Sequence, residues 1–115
     1  MARIEWSDTA VFVRLGLLER AGALHGDVEF PRTAIASVRA VENPLSHVRG
    51  LRVPGTALPG MLALGTYRGL FGKDFAAATR ERGVVFELTG AAWQHVVVSV
   101  SNPDEVAQAL APRAP

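Results

Sequence analysis

Three kinds of side chain in this 115-residue chain could do chemistry. His25-Gly26-Asp27 sets an imidazole two residues from a carboxylate, the pairing that orients a general base. A hydrolytic use would also need a nucleophile, and Ser37, Ser46 and Ser99 stand in ordinary strand or turn contexts without nucleophile-elbow spacing. His25, His47 and His95 are too widely spaced to form a paired metal-ligand motif. The third group is Tyr67-Arg68 and Lys73, which flank the apolar pair Leu70-Phe71. Apolar residues beside cations suit a contact with a partner protein or a bilayer interface rather than bond-making chemistry.

Other sites are poorly supplied. Glycines are plentiful, but no strand–GxGxxG–helix or P-loop pattern occurs, and no pair of catalytic carboxylates can be nominated. No cofactor is therefore expected, and the expected class is non-enzymatic. An enzyme with a small pocket near His25 and Asp27 is the weaker alternative. Nucleic-acid surfaces need stacking aromatics on a basic groove. Trp6 and Phe86 read as core, Tyr67 and Phe71 are too few, and a net charge of +1 provides no broad attractive field.

The elements that must position these residues are mostly strands. With 49% hydrophobic and 20% charged residues, the chain can fold as one domain spanning 1–115. It has no cysteine, so it offers no disulfide, thiolate or cysteine–metal site. The opening Met1-Ala2-Arg3-Ile4-Glu5 reaches charge before any apolar run, unlike a secretory signal. The apolar stretch Leu58–Gly65 is far shorter than the roughly 20 residues of a membrane span. A cytoplasmic location is the expectation.

Period-two alternation marks Arg3–Trp6 and Ala10–Leu15 as a hairpin. Leu17, Leu18, Ala21 and Leu24 recur at helical spacing, so Leu17–Leu24 reads as a short helix, with a continued strand as the alternative. Asp27–Phe30 and Ala34–Val41 read as strands, Pro44–Arg49 as one helical turn, and the proline- and glycine-rich Leu51–Gly60 as loop. Met61–Arg68 and Lys73–Arg80 form a hairpin around Gly69-Leu70-Phe71-Gly72. In the last two strands, Val84, Phe86, Leu88, Val96, Val98 and Val100 are expected to point inward, and Glu87, His95, Val97 and Ser99 outward. The final helix opens at Asn102-Pro103-Asp104-Glu105, where Asn102 can cap the first turn and Glu105 can complete a capping box. Val106, Ala109 and Leu110 form its buried stripe. Only the tail Ala111–Pro115 reads as frayed.

The ending strand–Ser101-Asn102-Pro103-Asp104-Glu105–helix, after a meander of strands, resembles the bacterial pleckstrin-homology-like (PH-like) domains. The stretches Gly55-Thr56-Ala57-Leu58-Pro59-Gly60, Gly65-Thr66-Tyr67-Arg68 and Gly72-Lys73-Asp74-Phe75 are similar to small uncharacterised proteins of that group from GC-rich bacteria. The resemblance implies a mainly β (α+β) fold: a barrel of about seven antiparallel strands in two packed sheets, closed by a C-terminal helix. The helix at Leu17–Leu24 and the region Asn43–Gly60 are additions to it. Phosphoinositide-binding members of the wider superfamily cradle phosphates with several cations at the first hairpin. Here that turn is the acidic Ser7-Asp8-Thr9, with only Arg3 and Arg14 nearby.

The expected function is a binding or scaffolding module whose partner is a protein. A peripheral membrane contact through Leu70-Phe71 is the alternative. The expected contact residues are Tyr67, Arg68, Leu70, Phe71 and Lys73. Leu70 and Phe71 can instead fold back onto the barrel or onto the Leu58–Met61 loop. Homo-oligomers through an edge strand are a further possibility, given the outward position expected for Val97.

Overall fold

The structure, a computed structural model, describes residues 2–23, 25–58 and 60–112, with only the backbone described at 52–54. Among the described residues, nine strands and two helices follow in the order β1 (Arg3–Trp6), β2 (Ala10–Arg14), α1 (Leu17–Ala23), β3 (Val28–Pro31), β4 (Ile35–Val41), β5 (Leu51–Leu58), β6 (Leu62–Gly69), β7 (Gly72–Thr79), β8 (Gly83–Leu88), β9 (His95–Ser99) and α2 (Pro103–Leu110). Short 3-10 turns at Arg32–Ala34 and Pro44–His47 flank β4. Leu24, the expected end of the first helix, lies outside the described residues, as do residues 113–115 of the expected frayed tail.

The fold is mainly β, with a three-stranded sheet β1-β2-β3 and a six-stranded sheet β4-β8-β9-β7-β6-β5. Among the described residues these do not close into a barrel. The expected run of seven consecutive antiparallel strands is also corrected, because β9 inserts between β8 and β7 and runs parallel to β7. The two sheets share one apolar interior. Val11, Val13, Val28 and Phe30 from the small sheet meet Phe75, Val84, Phe86, Val96 and Val98 from the large one. Phe30 and Phe86 make a T-shaped contact with centroids 5.1 Å apart, the arrangement that the ring quadrupoles favour.

Val84, Phe86, Val96 and Val98 are buried as the alternation predicts, while Glu87 and His95 are partly exposed. Val97 and Ser99 are not outward, however, because both are fully buried. The reason is a second apolar layer. Leu45 and Val48, in and just after the 3-10 turn, pack with Val41 against Ala78, Val85 and Val97 on the far face of the large sheet. Ser99 lies at the end of this face, where its hydroxyl accepts the Thr79 N–H (2.9 Å) and donates to the Glu81 carbonyl (2.9 Å). Since β9 is interior to the sheet, Val97 cannot serve as an edge for self-association.

Leu51–Gly60 is another correction, since Leu51–Leu58 is strand β5. It is one of the sheet's two edge strands, and its register with β6 shifts between Arg52 and Gly55, a bulge in which Pro54 sits without breaking an interior ladder. Gly55 has φ 150°, and a Cβ there would stand 2.0 Å from the Leu64 carbonyl oxygen. The composition that reads as loop is what lets this edge strand approach β6.

Helix α1 forms where expected but turns a different face inward. Leu17 and Leu18 are 83% and 87% exposed, and Ala23 is buried. Gly22 sits so close to Leu64 that a Cβ would come within 2.8 Å of it, and the Thr56 hydroxyl donates to the Gly22 carbonyl at 2.7 Å. The polar side of α1 ties the helix to the chain on both sides of it. Glu19 accepts from the Gly16 N–H, and Arg20 reaches the Leu15 carbonyl and Asp27.

Helix α2 buries Val106 and Leu110, as its stripe predicts, while Ala109 is exposed. Its cap differs from the expectation. Asn102 makes no side-chain bond to the helix N–H groups, and its amide instead donates to the Glu105 carboxylate at 2.6 Å. Arg82 fastens the helix start with two bonds to Asp104, and its Nε lies 2.7 Å from Glu42 as an ion pair without hydrogen-bond alignment. Arg32 fastens the helix end through the Ala109 carbonyl.

Candidate functional site

Strands β6 and β7 pair down to Gly69 opposite Gly72, leaving Leu70 and Phe71 as a two-residue turn. Gly72 has φ 112°, a conformation that L side chains rarely adopt. The two turn residues part company. Leu70 is fully exposed, at 110% of its reference area. Phe71 is half-buried and folds back beside the turn. Its ring lies against Gly50 and Gly69, where a Cβ would approach it to 2.7 Å and 2.5 Å, and the Arg49 guanidinium sits 3.8 Å from its centroid.

Arg49 is itself held from below. Its Nε and Nη2 donate to the Asp74 carboxylate at 2.7 Å and 3.3 Å, and Asp74 Oδ1 also accepts the His95 N–H at 3.0 Å. The Asp74 side chain is only 4% exposed, so this charge is satisfied almost wholly by the protein. The 49–71–74 latch fixes the turn to the sheet. Sequence reasoning missed Arg49 and the burial of Asp74. The available signal was Asp74-Ala76-Ala78, an otherwise apolar alternating stripe that starts with a carboxylate and so requires a cation partner.

Alternation along the hairpin separates the remaining candidates. Tyr67 lies opposite Asp74 and shares the face that Leu45 and Val48 cover. It is buried, so it is a core residue and not a contact residue. Arg68 lies directly opposite Lys73 on one side and Leu51 of β5 on the other, so the three share one face in a row. Arg68 is exposed, Leu51 is 76% exposed, and the Lys73 ammonium rests 4.3 Å from the centroid of Trp93. Among the described residues, neither Arg68 nor Lys73 has a carboxylate partner. The structure therefore brings together Leu51, Arg68, Leu70 and Lys73, backs them with Phe71, and removes Tyr67.

No protein-family profile, curated protein or solved structure matches the chain.

The His25–Asp27 pairing does not form. Asp27 accepts the Leu15 N–H at 2.8 Å and pairs with Arg20 and Arg14, and these bonds hold its carboxyl below the usual range, the backbone donor foremost. His25 Nδ1 hydrogen-bonds the Gly26 carbonyl at 2.7 Å, and the ring packs on Phe75 and Trp93. The hydroxyls of Ser46 and Ser99 donate to backbone carbonyls. Burial, with Arg49 as the second cause, pushes the His95 imidazole below its ordinary range. Among the described residues, no three acidic or histidine side chains converge to hold a metal ion. An open cleft of about 440 Å³ lies between the first hairpin turn and the end of α2, lined by Asp8, Arg32, Thr33 and Leu110. There the Arg32 guanidinium is committed to the Ser7 and Ala109 carbonyls. Among the described residues, no helix is long and apolar enough to cross a membrane.

Proposed function

We propose that the chain is a non-enzymatic binding module that docks a partner protein through the β6–β7 turn and the adjoining start of β5. The observation that carries this reading is Leu70, a fully exposed leucine held on a latched platform. Fully exposed, the Leu70 side chain contributes no buried packing to the fold. With the neighbouring Phe71 held under Arg49, less of the turn needs ordering when Leu70 binds. Kinship with the PH-like domains belongs to the same proposal. It is supported by the succession of strands, two packed sheets and a C-terminal helix seated on β4 and β8. The parallel β7–β9 pair and the division into three and six strands are departures from that pattern.

A photo-reactive phenylalanine analogue at position 70, used in the native cell, tests the reading. It should capture a defined protein, whereas the same analogue at exposed Ala36 should not. Leu70→Ser should abolish complex formation while changing stability by less than about 0.5 kcal/mol. Capture from position 17 but not from 70 would move the contact to the exposed leucines of α1 and refute the proposal. The leading position of Leu70 beside two cations also suits a membrane contact. That second reading requires salt-sensitive co-sedimentation with anionic vesicles that Leu70→Ser removes.

A further inference from the structure

We infer that the Arg68–Lys73 row is a carboxylate-binding site for an acidic, apolar segment of a partner protein. In this arrangement the carboxylate bridges the two cations while neighbouring apolar side chains cover Leu51 and Leu70. The inference rests on the reading of this turn as the contact surface, and names the chemistry of the partner.

Like charges directly opposite each other on an antiparallel ladder repel, and an opposite charge beside them relieves the pair. Here Arg68 and Lys73 face each other across β6 and β7, and no described carboxylate approaches either one. The cations are also different in kind. A guanidinium offers a planar fork that matches both oxygens of a carboxylate, and an ammonium offers a compact charge beside it. Lys73 is held at the site, its ammonium resting on the face of Trp93. Leu51 continues the row on the other side of Arg68, and Leu70 projects at its end. A ligand that satisfies this surface carries one negative charge flanked by apolar groups.

Two features favour a peptide over a membrane. Phe71, the largest apolar group of the turn, is folded back under Arg49 and adds no insertion depth. Recruitment to anionic lipid relies on clusters of about 4–8 cations or on a second anchor. The row has two cations, on a chain whose net charge is +1.

The test is a ¹⁵N NMR titration of the full chain with an acetylated, amidated pentapeptide of alternating leucine and glutamate. Its glutamine counterpart, inorganic phosphate and anionic phosphatidylserine vesicles are titrated in parallel. The glutamate peptide should shift the amides of residues 68–73 and the Trp93 indole N–H. Binding should weaken at least tenfold with the glutamine peptide, and likewise in Arg68→Gln or Lys73→Gln. Arg68→Gln should melt no lower than the wild type, since it removes one member of a repelling pair, and Lys73→Gln should melt within a few degrees of it, since the lost contact with Trp93 offsets that relief. Equal binding of the glutamine peptide would overturn the inference, and so would phosphate alone matching the glutamate peptide. Binding to vesicles without binding to the peptide would overturn it in favour of a lipid surface. A position 70 that still captures a protein in the cell, in a domain that ignores the peptide, would overturn the carboxylate assignment alone.

Discussion

Arg49→Ala tests the latch that holds the β6–β7 turn. The change removes two hydrogen bonds to Asp74 and the guanidinium over Phe71, and leaves a carboxylate that is only 4% exposed without its cation. Breaking a fully buried ion pair by deleting one partner costs about 3–5 kcal/mol. The Arg49 side chain is 38% exposed, so solvent screens part of this pair. With the stacking contribution of about 0.5–1 kcal/mol, the expected loss is about 2–3 kcal/mol. For a domain of this size that lowers Tm by about 10 °C, at roughly 4 °C per kcal/mol. Urea unfolding and calorimetry give the magnitude, and hydrogen exchange should show the amides of residues 69–72 opening faster. Asp74→Asn keeps an acceptor for the His95 N–H but removes the charge, so the double variant should lose about 1–2 kcal/mol less than the sum of the single ones. Additive losses, or an Arg49→Ala variant that melts within 2 °C of the wild type, would show that the pair does not restrain the turn.

The remaining expectations follow from packing, capping and titration. Leu110→Ala should destabilise by about 2–4 kcal/mol in chemical denaturation, because the side chain is buried in the shared interior. Asn102→Ala should cost only about 0.5 kcal/mol, because its side chain caps nothing but Glu105. Ser99→Ala should cost about 1.5 kcal/mol by leaving the Thr79 N–H without its acceptor, and amide exchange at Thr79 would report that loss. His95 faces Arg49, Asp74, Glu87 and Arg39, with burial the main reason its proton is held less tightly than in the unfolded chain. Its contribution to stability is therefore complete above the ordinary histidine range and is lost as pH falls through the depressed folded value. Unfolding free energies from about pH 7.5 to about pH 5 should fall less steeply in His95→Gln.

Local signals in the sequence were read correctly where local forces decide the outcome. Pro103, Asp104 and Glu105 followed by Val106 and Leu110 can form little but an amphipathic helix, and the alternation of Val84, Phe86, Val96 and Val98 fixes one face of β8 and β9. Long-range cover was not legible. Nothing near Val97 or Tyr67 announces that Leu45 and Val48 pack over that face, so alternation exposed residues that the fold buries. Strand β5 was hidden because Pro54 and Gly55 read as loop unless the strand lies at an edge. Leu17 and Leu18 looked like a buried stripe, but the close fit of Gly22 against Leu64 selects the inward face of α1. At the candidate site, Arg68, Leu70 and Lys73 were legible from the turn itself. Arg49 joins Asp74 across 25 residues, beyond any local pattern.

The place of β9 in the large sheet bears on how the protein is made. This strand joins β4-β8 on one side to β7-β6-β5 on the other. During vectorial synthesis, the ribosome delivers every other strand first. Until residues 95–99 emerge, the large sheet can exist only as two disconnected fragments, with the backbone edges of β7 and β8 unpaired. Such edges are sticky templates for neighbouring chains. The arrival of residues 95–99 is thus the step that closes the large sheet, and a chain truncated before it should aggregate.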